Sequence, residues 1–247
     1  MKIIALDAGH GMFTAGKEIT LSGYPRTKEW TLNDRISDIL ETLLSEYECK
    51  VIRVGDTTGN KDISLSQRIQ TANNVGASVY VSVHHNAGIK GGSGGGTIVY
   101  YYSSDPKREK QAIRLYDSIV AKTGLAGNRS TKVAKKAYYV IRHTTMPAFL
   151  IENGFMDSTT DVPIILTQEH AEKTAQGILN FLVEEYCLEK KSDGFCKYMG
   201  FEEDCDFLAA CGIINSPDYW AMGGGYSDMN TVLLIKKVAA YLRRNGT

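Results

Sequence analysis

The sequence has few of the features that mark membrane, nucleic-acid-binding or disulfide-stapled proteins. No apolar run approaches the roughly 18 residues that a membrane-spanning helix requires. Twenty-eight basic residues balance 28 acidic ones, so the net charge does not favour nucleic acid or an anionic membrane as a partner. The five cysteines form no C-x-x-C pair, which favours reduced thiols over a disulfide framework. We therefore expect a globular protein with neither a membrane nor a nucleic acid as its partner.

The N-terminus also lacks the pattern of an export signal. The apolar run that follows Lys2 ends at Asp7 and is too short for the apolar region of a signal peptide. We therefore expect the protein to stay in the cytoplasm in which it is made until another agent releases it.

What the sequence does contain is an alternation of strand and helix patterns. Short runs rich in β-branched and aromatic residues predict strands over 2–6, 50–54, 78–84, 97–102, 137–141 and 148–152. Segments with apolar residues at steps of three and four predict helices over 30–47, 66–74, 108–122 and 169–186. Strands that alternate with helices form mostly parallel sheets covered on both faces. The sequence therefore predicts the α/β class.

The composition changes near Cys187. Residues 188–194, LEKKSDG, are charged and end in glycine, which predicts a linker after a first domain over residues 1–187. Residues 195–247 carry short helical patterns and little strand pattern, and the clearest predicted helix spans 232–242. We expect a small helical domain at this end of the chain.

Polar residues suited to metal chemistry follow three of the predicted strands. Open parallel sheets bind ligands outside the carboxyl ends of their strands, so these side chains are candidates for one site. They are Asp7, His10, His84, His85, Asn86 and Glu152. Two histidines and a carboxylate, with one coordination position left open, are a common ligand set of hydrolytic zinc sites. A further carboxylate could accept the proton of the attacking water.

The residues alone leave simpler roles open for two candidate ligands. His10 lies between Gly9 and Gly11, so it fits a glycine-flanked turn as well as a metal site. Glu29 falls at the start of the first predicted helix, where the helix dipole favours an acid without any metal. Neither residue identifies a metal site by itself.

The remaining candidates differ in how strongly the sequence supports a place for them in the site. Strand alternation sends His84 and His85 to opposite faces, so at most one of them enters a site, and the alternation does not say which. Glu152 follows three apolar residues, and a buried acid at a strand end needs a partner. We expect His143 and His170 to lie on the surface or in loops, and we assign neither to a metal.

Five stretches between Met1 and Tyr186 resemble one protein family in their order and spacing. They are LDAGHG, Glu29 with Asn33 in an E-x-x-x-N arrangement, LSQRIQTANNVGASVYVSVHHNA, GTIVYYYS and MPAFLIENGFMDS. Together they resemble the zinc-dependent N-acetylmuramoyl-L-alanine amidases of bacterial cell-wall turnover and phage lysis. The resemblance implies a twisted, mostly parallel six-stranded sheet flanked by helices.

The resemblance also implies the site and its reaction. It implies one zinc ion held by His10, Glu29 and His84, with Glu152 as the catalytic acid/base. SVHHNA stands where the family has Ser-Ile/Val-His-x-Asn-Ala, so the implied ligand is His84, and His85 takes the variable position. The implied substrate is peptidoglycan, cut at the amide between the lactyl group of muramic acid and the first L-alanine of the stem peptide.

The resemblance also leads to weaker expectations. Asn86, Arg129 and Arg142 are candidate substrate contacts, although surface positions explain the two arginines as simply. With no visible export signal, we expect a phage endolysin that stays in the host cytoplasm until it reaches the cell wall. The alternatives are a host autolysin or spore-cortex amidase, a zinc peptidase that cuts inside the stem peptide, and a non-catalytic wall-binding protein. Residues 195–247 resemble short helical modules of lytic enzymes and could bind the wall or mediate self-association.

Overall fold

The computed structural model describes residues 1–191, 201–210 and 238. The chain divides into two units, Met1–Glu189 and Lys190–Thr247. The predicted linker over 188–194 and the predicted terminal helix over 232–242 lie largely outside the described residues. Within the described part of the chain, no helix combines the length and the apolar character needed to cross a bilayer.

The first unit is built on a single sheet. Its strands are β1 (Lys2–Ala8), β2 (Cys49–Arg53), β3 (Val79–Asn86), β4 (Thr97–Tyr101), β5 (Val133–Lys135) and β6 (Ala148–Phe155). The helices of the chain are α1 (Glu29–Leu44), α2 (Leu65–Asn74), α3 (Pro106–Thr123), α4 (Tyr139–Arg142), α5 (Val162–Ile165), α6 (Gln168–Tyr186) and α7 (Phe201–Ala210). The strand order is β2-β1-β3-β6-β4-β5, and all neighbours are parallel except β4 and β6. The predicted α/β class with a mostly parallel sheet is confirmed.

Side-chain alternation divides the two faces of the sheet between two sets of helices. Ile4 and Leu6 of β1 pack with α1, α3 and α6, on what we call the α1 face. Ala5, between them, packs with α2 and α4 on the opposite side, the α2 face. Strand β3 alternates in the same way, with Val83 on the α1 face and Tyr80 on the α2 face. Because both faces are covered, the central strands are apolar on both sides.

Local sequence fixes the ends of two helices. At the start of α2, the Ser64 hydroxyl accepts the N–H of Gln67, and the Gln67 side chain accepts the N–H of Ser64. Helix α3 begins after Asp105, whose carboxylate caps its first turn, and ends at Gly124, which adopts a φ of 70°. The reciprocal cap matters for the site, because the start of α2 borders the cavity described below.

One predicted strand is wrong. Residues 137–141 overlap the helical turn α4, and the fifth strand in chain order is β5, a few residues earlier. The Arg142 N–H donates to the Tyr138 carbonyl at 3.0 Å, as in a helix. The adjacent residues Val140 and Ile141 both pack in the core of the α2 face, which a helical turn permits and a strand, whose successive side chains point to opposite faces, does not. Packing thus overrides the β-propensity of this run.

Candidate metal centre and active-site cavity

Three side chains that could hold a metal ion converge at the carboxyl edge of the sheet. His10 Nε2 lies 3.3 Å from Glu29 Oε2, and His84 Nδ1 lies 3.0 Å from Glu29 Oε1. The two imidazole rings stand edge to face, with their centroids 4.9 Å apart. One potential ligand atom from each residue lies within 4.8 Å of the other two. The structure therefore brings together the three residues that the family resemblance implied as ligands.

The backbone of the turn after β1 places His10. The Gly9 N–H donates to the Val83 carbonyl at 3.0 Å, which extends the pairing with β3 by one residue. A Cβ at Gly9 would lie 2.1 Å from Cε1 of His84, so only glycine leaves room for that ring. His10 itself has a φ of 68°, a left-handed conformation that residues other than glycine rarely adopt. The glycine and the left-handed turn together let the two histidines approach each other.

The first residue of α1 supplies the carboxylate. The Glu29 N–H donates to the Lys17 carbonyl at 2.9 Å, and Lys17 Nζ lies 3.9 Å from Glu29 Oε2. Glu29 is 1% exposed. Burial alone would raise the pKa of Glu29, but its interactions with the His10 and His84 imidazoles outweigh burial and lower the pKa well below its ordinary value. Glu29 is therefore held in its ionised form.

His84 and His85 lie on opposite sides of β3, as strand alternation predicts. His84 lines the cavity and pairs with Glu29, whereas His85 is buried with its Nδ1 2.8 Å from Asn33 Oδ1 of α1. Burial alone would lower the pKa of His84, but the hydrogen bond with Glu29 and the charge of Glu152 raise it above its ordinary value. The structure thus places His84, and not His85, among the potential ligands.

Glu152 occupies a different environment at the same edge. It pairs in register with His84 across β6 and β3. Its Oε2 is buried, and no hydrogen-bond donor among the described residues reaches that atom. Burial raises the pKa of Glu152 to about 7, although the charge of His84 acts in the opposite direction. A carboxyl group with a pKa near 7 and an oxygen without a partner can accept and return a proton at neutral pH.

An open cavity of about 650 Å³ lies over these residues. His10, His84 and Glu152 line it, as does Asn86, one of the three predicted substrate contacts. Its walls come from the segments at the starts of α2 and α4, and the wall residues are Asp62, Ile63, Ser64, Leu65, Tyr138, Tyr139 and Val140. The cavity gives a substrate direct access to His10, His84 and Glu152.

The other two predicted substrate contacts are outside the cavity lining. Arg129 is exposed, with its guanidinium carbon 5.1 Å from the centroid of the Phe155 ring. Arg142 is also exposed and lies 5.8 Å from the centroid of the Tyr102 ring. The structure therefore does not bring either arginine together with His84 and Glu152.

A buried arginine that sequence reasoning missed supports the turn around His10. Arg68 of α2 is 1% exposed, and its guanidinium donates to the carbonyls of Ala8 and His10, each at 2.8 Å. It also donates to Asp7 Oδ1 at 2.5 Å, while the hydroxyl of Tyr80 donates to Asp7 Oδ2 at 2.8 Å. The candidate Asp7 is thus a partner of Arg68 and lies outside the potential ligand set. The sequence signal that could have revealed this role was the position of Arg68 next to the apolar residues of α2. An arginine buried beside such residues needs a partner.

Two further histidines were expected on the surface or in loops. His143 is exposed, as expected. The expectation for His170 is wrong, because it lies in α6 and is only 3% exposed. Its Nε2 lies 3.3 Å from the Asn153 carbonyl and 3.4 Å from the Thr174 hydroxyl. His170 lies on the inward-packing side of α6, together with Ala171 and Thr174. The histidine is therefore buried with them.

Comparisons with known proteins identify the family. A family model described as N-acetylmuramoyl-L-alanine amidase matches residues 4–184. The chain is 33% identical over 190 residues to the sporulation-specific N-acetylmuramoyl-L-alanine amidase of Bacillus subtilis (strain 168), an alignment that covers 76% of this chain and 70% of that protein. It is 31% identical over 199 residues to the endolysin of Bacillus phage SPP1, covering 78% and 69% respectively.

A solved structure agrees with the sequence comparisons. The chain resembles the catalytic domain of CwlV, an N-acetylmuramoyl-L-alanine amidase from Bacillus (Paenibacillus) polymyxa var. colistinus, with a TM-score of 0.66 and 26% sequence identity. That match covers 76% of this chain and 99% of the CwlV chain. The family model spans nearly all of the sheet and its helices, which confirms the resemblance found in the sequence. The chain belongs to the N-acetylmuramoyl-L-alanine amidase family and is a peptidoglycan amidase.

Proposed function

We propose that this amidase uses one zinc ion to hydrolyse the amide between the lactyl group of N-acetylmuramic acid and the first L-alanine of the stem peptide. The proposal rests on one observation. Donor atoms of His10, Glu29 and His84 converge beside Glu152, an acid whose buried Oε2 has no hydrogen-bond partner among the described residues. The first three would hold the ion, and Glu152 would carry the proton.

The donor set fits zinc. Two imidazoles and one carboxylate are a usual ligand set of catalytic zinc sites, which keep a fourth position for water or substrate. Glu29 Oε2 is buried, and His10 Nε2 lies 3.3 Å from it without hydrogen-bond alignment, so that oxygen is available as a ligand. Zinc at this site would polarise the lactyl carbonyl and lower the pKa of water from about 15.7 to about 7.

Glu152 would both accept and return the proton of the reaction. As a carboxylate it takes a proton from the water whose oxygen attacks the lactyl carbonyl carbon. It then gives that proton to the nitrogen of L-alanine, so the C–N bond breaks and the peptide leaves as an amine. The pKa of Glu152, which burial raises to about 7, suits both transfers.

We propose two zones of substrate contact. Asn86 lines the cavity beside His84 and Glu152, and this supports a contact with the group next to the scissile amide. Arg129 and Arg142 are exposed cations outside the cavity, and this position suits carboxylates on more distant parts of the polymer. Contacts of the second kind contribute little energy, because solvent screens exposed charges.

Product analysis tests the reaction. Purified peptidoglycan is digested with and without a chelator, and the products are identified by mass spectrometry. We expect peptides that begin with L-alanine, released from intact glycan strands, with release lost on chelation and restored by zinc. Fragments cut inside the stem peptide would indicate a zinc peptidase, and wall binding without any product would indicate a non-catalytic protein. Undiminished release from metal-free protein would contradict the role of zinc.

For the biological role, we propose that the enzyme is a phage endolysin held in the host cytoplasm until it is released to the cell wall. The similarity to the endolysin of Bacillus phage SPP1 supports this role. The similarity to a sporulation-specific amidase makes spore-cortex cleavage the competing role. Turbidity assays on vegetative cell walls and on isolated spore cortex separate the two. An endolysin clears vegetative walls, whereas activity confined to cortex would support the sporulation role. A host autolysin would be identified by its presence in phage-free cells.

We also propose that residues 195–247 form a small helical module that binds the wall or mediates self-association. A module of this size has little core of its own, so contact with the wall or with a second copy would stabilise it. Sedimentation with purified walls and analytical ultracentrifugation, each with the full chain and with a chain ending at Lys191, test the two roles. Unchanged wall binding and unchanged mass distribution after truncation would contradict both.

A further inference from the structure

The residue after the second histidine ligand is linked to all three ligand-bearing segments. The His85 N–H donates to Glu29 Oε1 at 3.2 Å, and its ring Nδ1 lies 2.8 Å from Asn33 Oδ1. Asn33, one helical turn after Glu29, donates from Nδ2 to the Gly9 carbonyl at 3.1 Å. Gly9 immediately precedes the first histidine ligand. A continuous set of hydrogen bonds therefore joins the turn after β1, the start of α1 and the end of β3.

Hydrogen-bond chemistry fixes the direction of each bond in this set. The Gly9 carbonyl can only accept, so the Asn33 amide must present its nitrogen to Gly9 and its oxygen to His85. Since that oxygen can only accept, Nδ1 of His85 carries the ring proton. The other ring nitrogen of His85, Nε2, is buried. In the described part of the chain, no group forms a hydrogen bond with that Nε2.

The location of the pair makes a purely space-filling role a poor explanation. His85 is 2% exposed and Asn33 is fully buried. Both lie on the α1 face, where the neighbouring β3 residues Val81 and Val83 are apolar. Burying an imidazole and an amide there costs free energy unless their hydrogen bonds are made. Those side-chain bonds join the two residues to each other and to Gly9, next to His10.

We infer that His85 and Asn33 are positioning residues that hold the turn after β1 and the Glu29 carboxylate at the spacing required for metal binding. The inference rests on the proposed zinc-dependent function. Neither residue lines the cavity, so both act through the ligands and not on the substrate. Outer hydrogen-bond partners of metal ligands typically contribute about 10–100-fold to metal affinity.

Zinc affinity of the full chain tests this inference. The dissociation constant for Zn²⁺ is measured by competition with a chromogenic chelator for wild type, His85→Leu, Asn33→Leu and the double variant. We expect each single variant to weaken zinc binding about 10–100-fold. The double variant should weaken zinc binding by less than the product of the two single effects, because both substitutions break the bond between His85 and Asn33. The visible spectrum of bound Co²⁺ should also shift, since it reports on ligand geometry.

Two further variants separate positioning from general destabilisation. Leu40→Ala removes a fully buried apolar side chain from the same helix, away from the ligands. It should lower the denaturation midpoint while leaving zinc affinity within about twofold of wild type. His85→Gln keeps a hydrogen-bond donor and should bind zinc more tightly than His85→Leu. If a leucine variant does not fold, Asn33→Ala is used in its place, because it also removes the bond between Asn33 and His85. Alanine is well tolerated in helices.

The possible results distinguish the inference from the function on which it rests. Wild-type zinc affinity with an unchanged Co²⁺ spectrum in folded His85→Leu or Asn33→Leu would overturn the inference and leave the proposed function intact. Equal weakening in His85→Gln and His85→Leu would also overturn it, because the donor would then be irrelevant. Failure of the wild-type chain to bind zinc would overturn the proposed function, and the inference with it.

Discussion

Two carboxyl groups at the same edge of the sheet, the buried Glu29 and the half-buried Glu152, have pKa values displaced in opposite directions. Two imidazoles outweigh the burial of Glu29 and lower its pKa, whereas burial raises the pKa of Glu152 to about 7. Environments that separate the pKa values of two neighbouring acids commonly assign them different chemical roles. We call His10, Glu29 and His84 the ligand side of the site, and Glu152 the proton side. The comparison shows that the side chains paired with each carboxyl group, and not the depth at which it is buried, determine which of the two acids is ionised.

The largest expected effect tests the proton side. Glu152→Gln keeps the shape of the side chain but cannot carry a proton, so kcat should fall roughly 10²–10⁴-fold. The measurement is the rate at which amino groups are released from purified walls by the zinc-loaded variant. Asn86→Ala, which changes another cavity residue without removing an acid, is the matched control and should lose less activity. A folded, zinc-loaded Glu152→Gln enzyme with wild-type turnover would contradict the assigned role.

The next effect tests the support beneath the ligand side. Arg68→Met leaves Asp7 buried without its cation, which typically costs about 3–5 kcal/mol in the free energy of unfolding. Urea denaturation measures the loss. The double variant Asp7→Asn, Arg68→Met is the control and should lose less than Arg68→Met alone, because it leaves no uncompensated charge. Equal losses in the two proteins would show that the ion pair is not the source of the stability.

The pH dependence of stability sharpens the contrast between the two acids. With a chelator present, folded Glu152 has a pKa of about 7 against an ordinary 4.5, so the native state binds more protons than the unfolded state between these values. The contribution of Glu152 to stability must therefore fall as pH rises through this window, by about 3 kcal/mol. Urea denaturation of wild type and Glu152→Gln at pH 5 and pH 8 should show a larger fall in wild type, because Asp34, whose pKa is raised to about 6, contributes a fall in both proteins. Parallel pH dependence in both proteins would rule out the raised pKa.

A smaller effect tests the close approach on the ligand side. Gly9→Ala places a Cβ 2.1 Å from the His84 ring, so the ring must leave its present position beside Glu29. Overpacking of this kind usually costs about 1–3 kcal/mol, and zinc binding should weaken with it. Thermal denaturation and chelator competition measure the two effects. Gly11→Ala, whose Cβ would meet Asp62 at 3.2 Å, is the milder control. Wild-type zinc affinity in Gly9→Ala would show that the His84 ring accommodates the added Cβ without losing its position as a ligand.

The smallest effect lies outside both sides of the site. Arg142→Ala removes an exposed charge away from the cavity, and such contacts contribute about 0.2–1 kcal/mol. We expect KM for polymeric peptidoglycan to rise less than about fivefold, with kcat unchanged. Lys135→Ala is a suitable control, because it removes the other cation beside the Tyr102 ring. A tenfold fall in kcat would instead place Arg142 within the reacting part of the site.

The fold could be predicted where the sequence pattern is long. Helices α1, α3 and α6 each span 16 residues or more, so an apolar stripe repeats several times and identifies them. The region of β5 and α4 could not be predicted, because a run of five residues contains too few repeats to separate a strand from a helical turn. There, the simultaneous burial of Val140 and Ile141 decides the structure, and burial depends on the rest of the fold.

The site could be predicted only in part for a similar reason. Strand ends identified His10 and Glu152 as candidates, because parallel strands deliver their last residues to one edge. Choosing His84 over His85 required the family resemblance, since alternation alone is symmetric. The contacts of Arg68 and the burial of His170 depend on segments far apart in the chain, and no local pattern contains them.

Zinc content after dialysis against zinc, followed by removal of free metal, tests the central claim most directly. Elemental analysis is made on three proteins: wild type, Glu29→Gln and Glu152→Gln. We predict about one zinc per chain in wild type and in Glu152→Gln, and almost none in Glu29→Gln. One zinc per chain in Glu29→Gln, or none in wild type, would contradict the division of the site into a ligand side and a proton side.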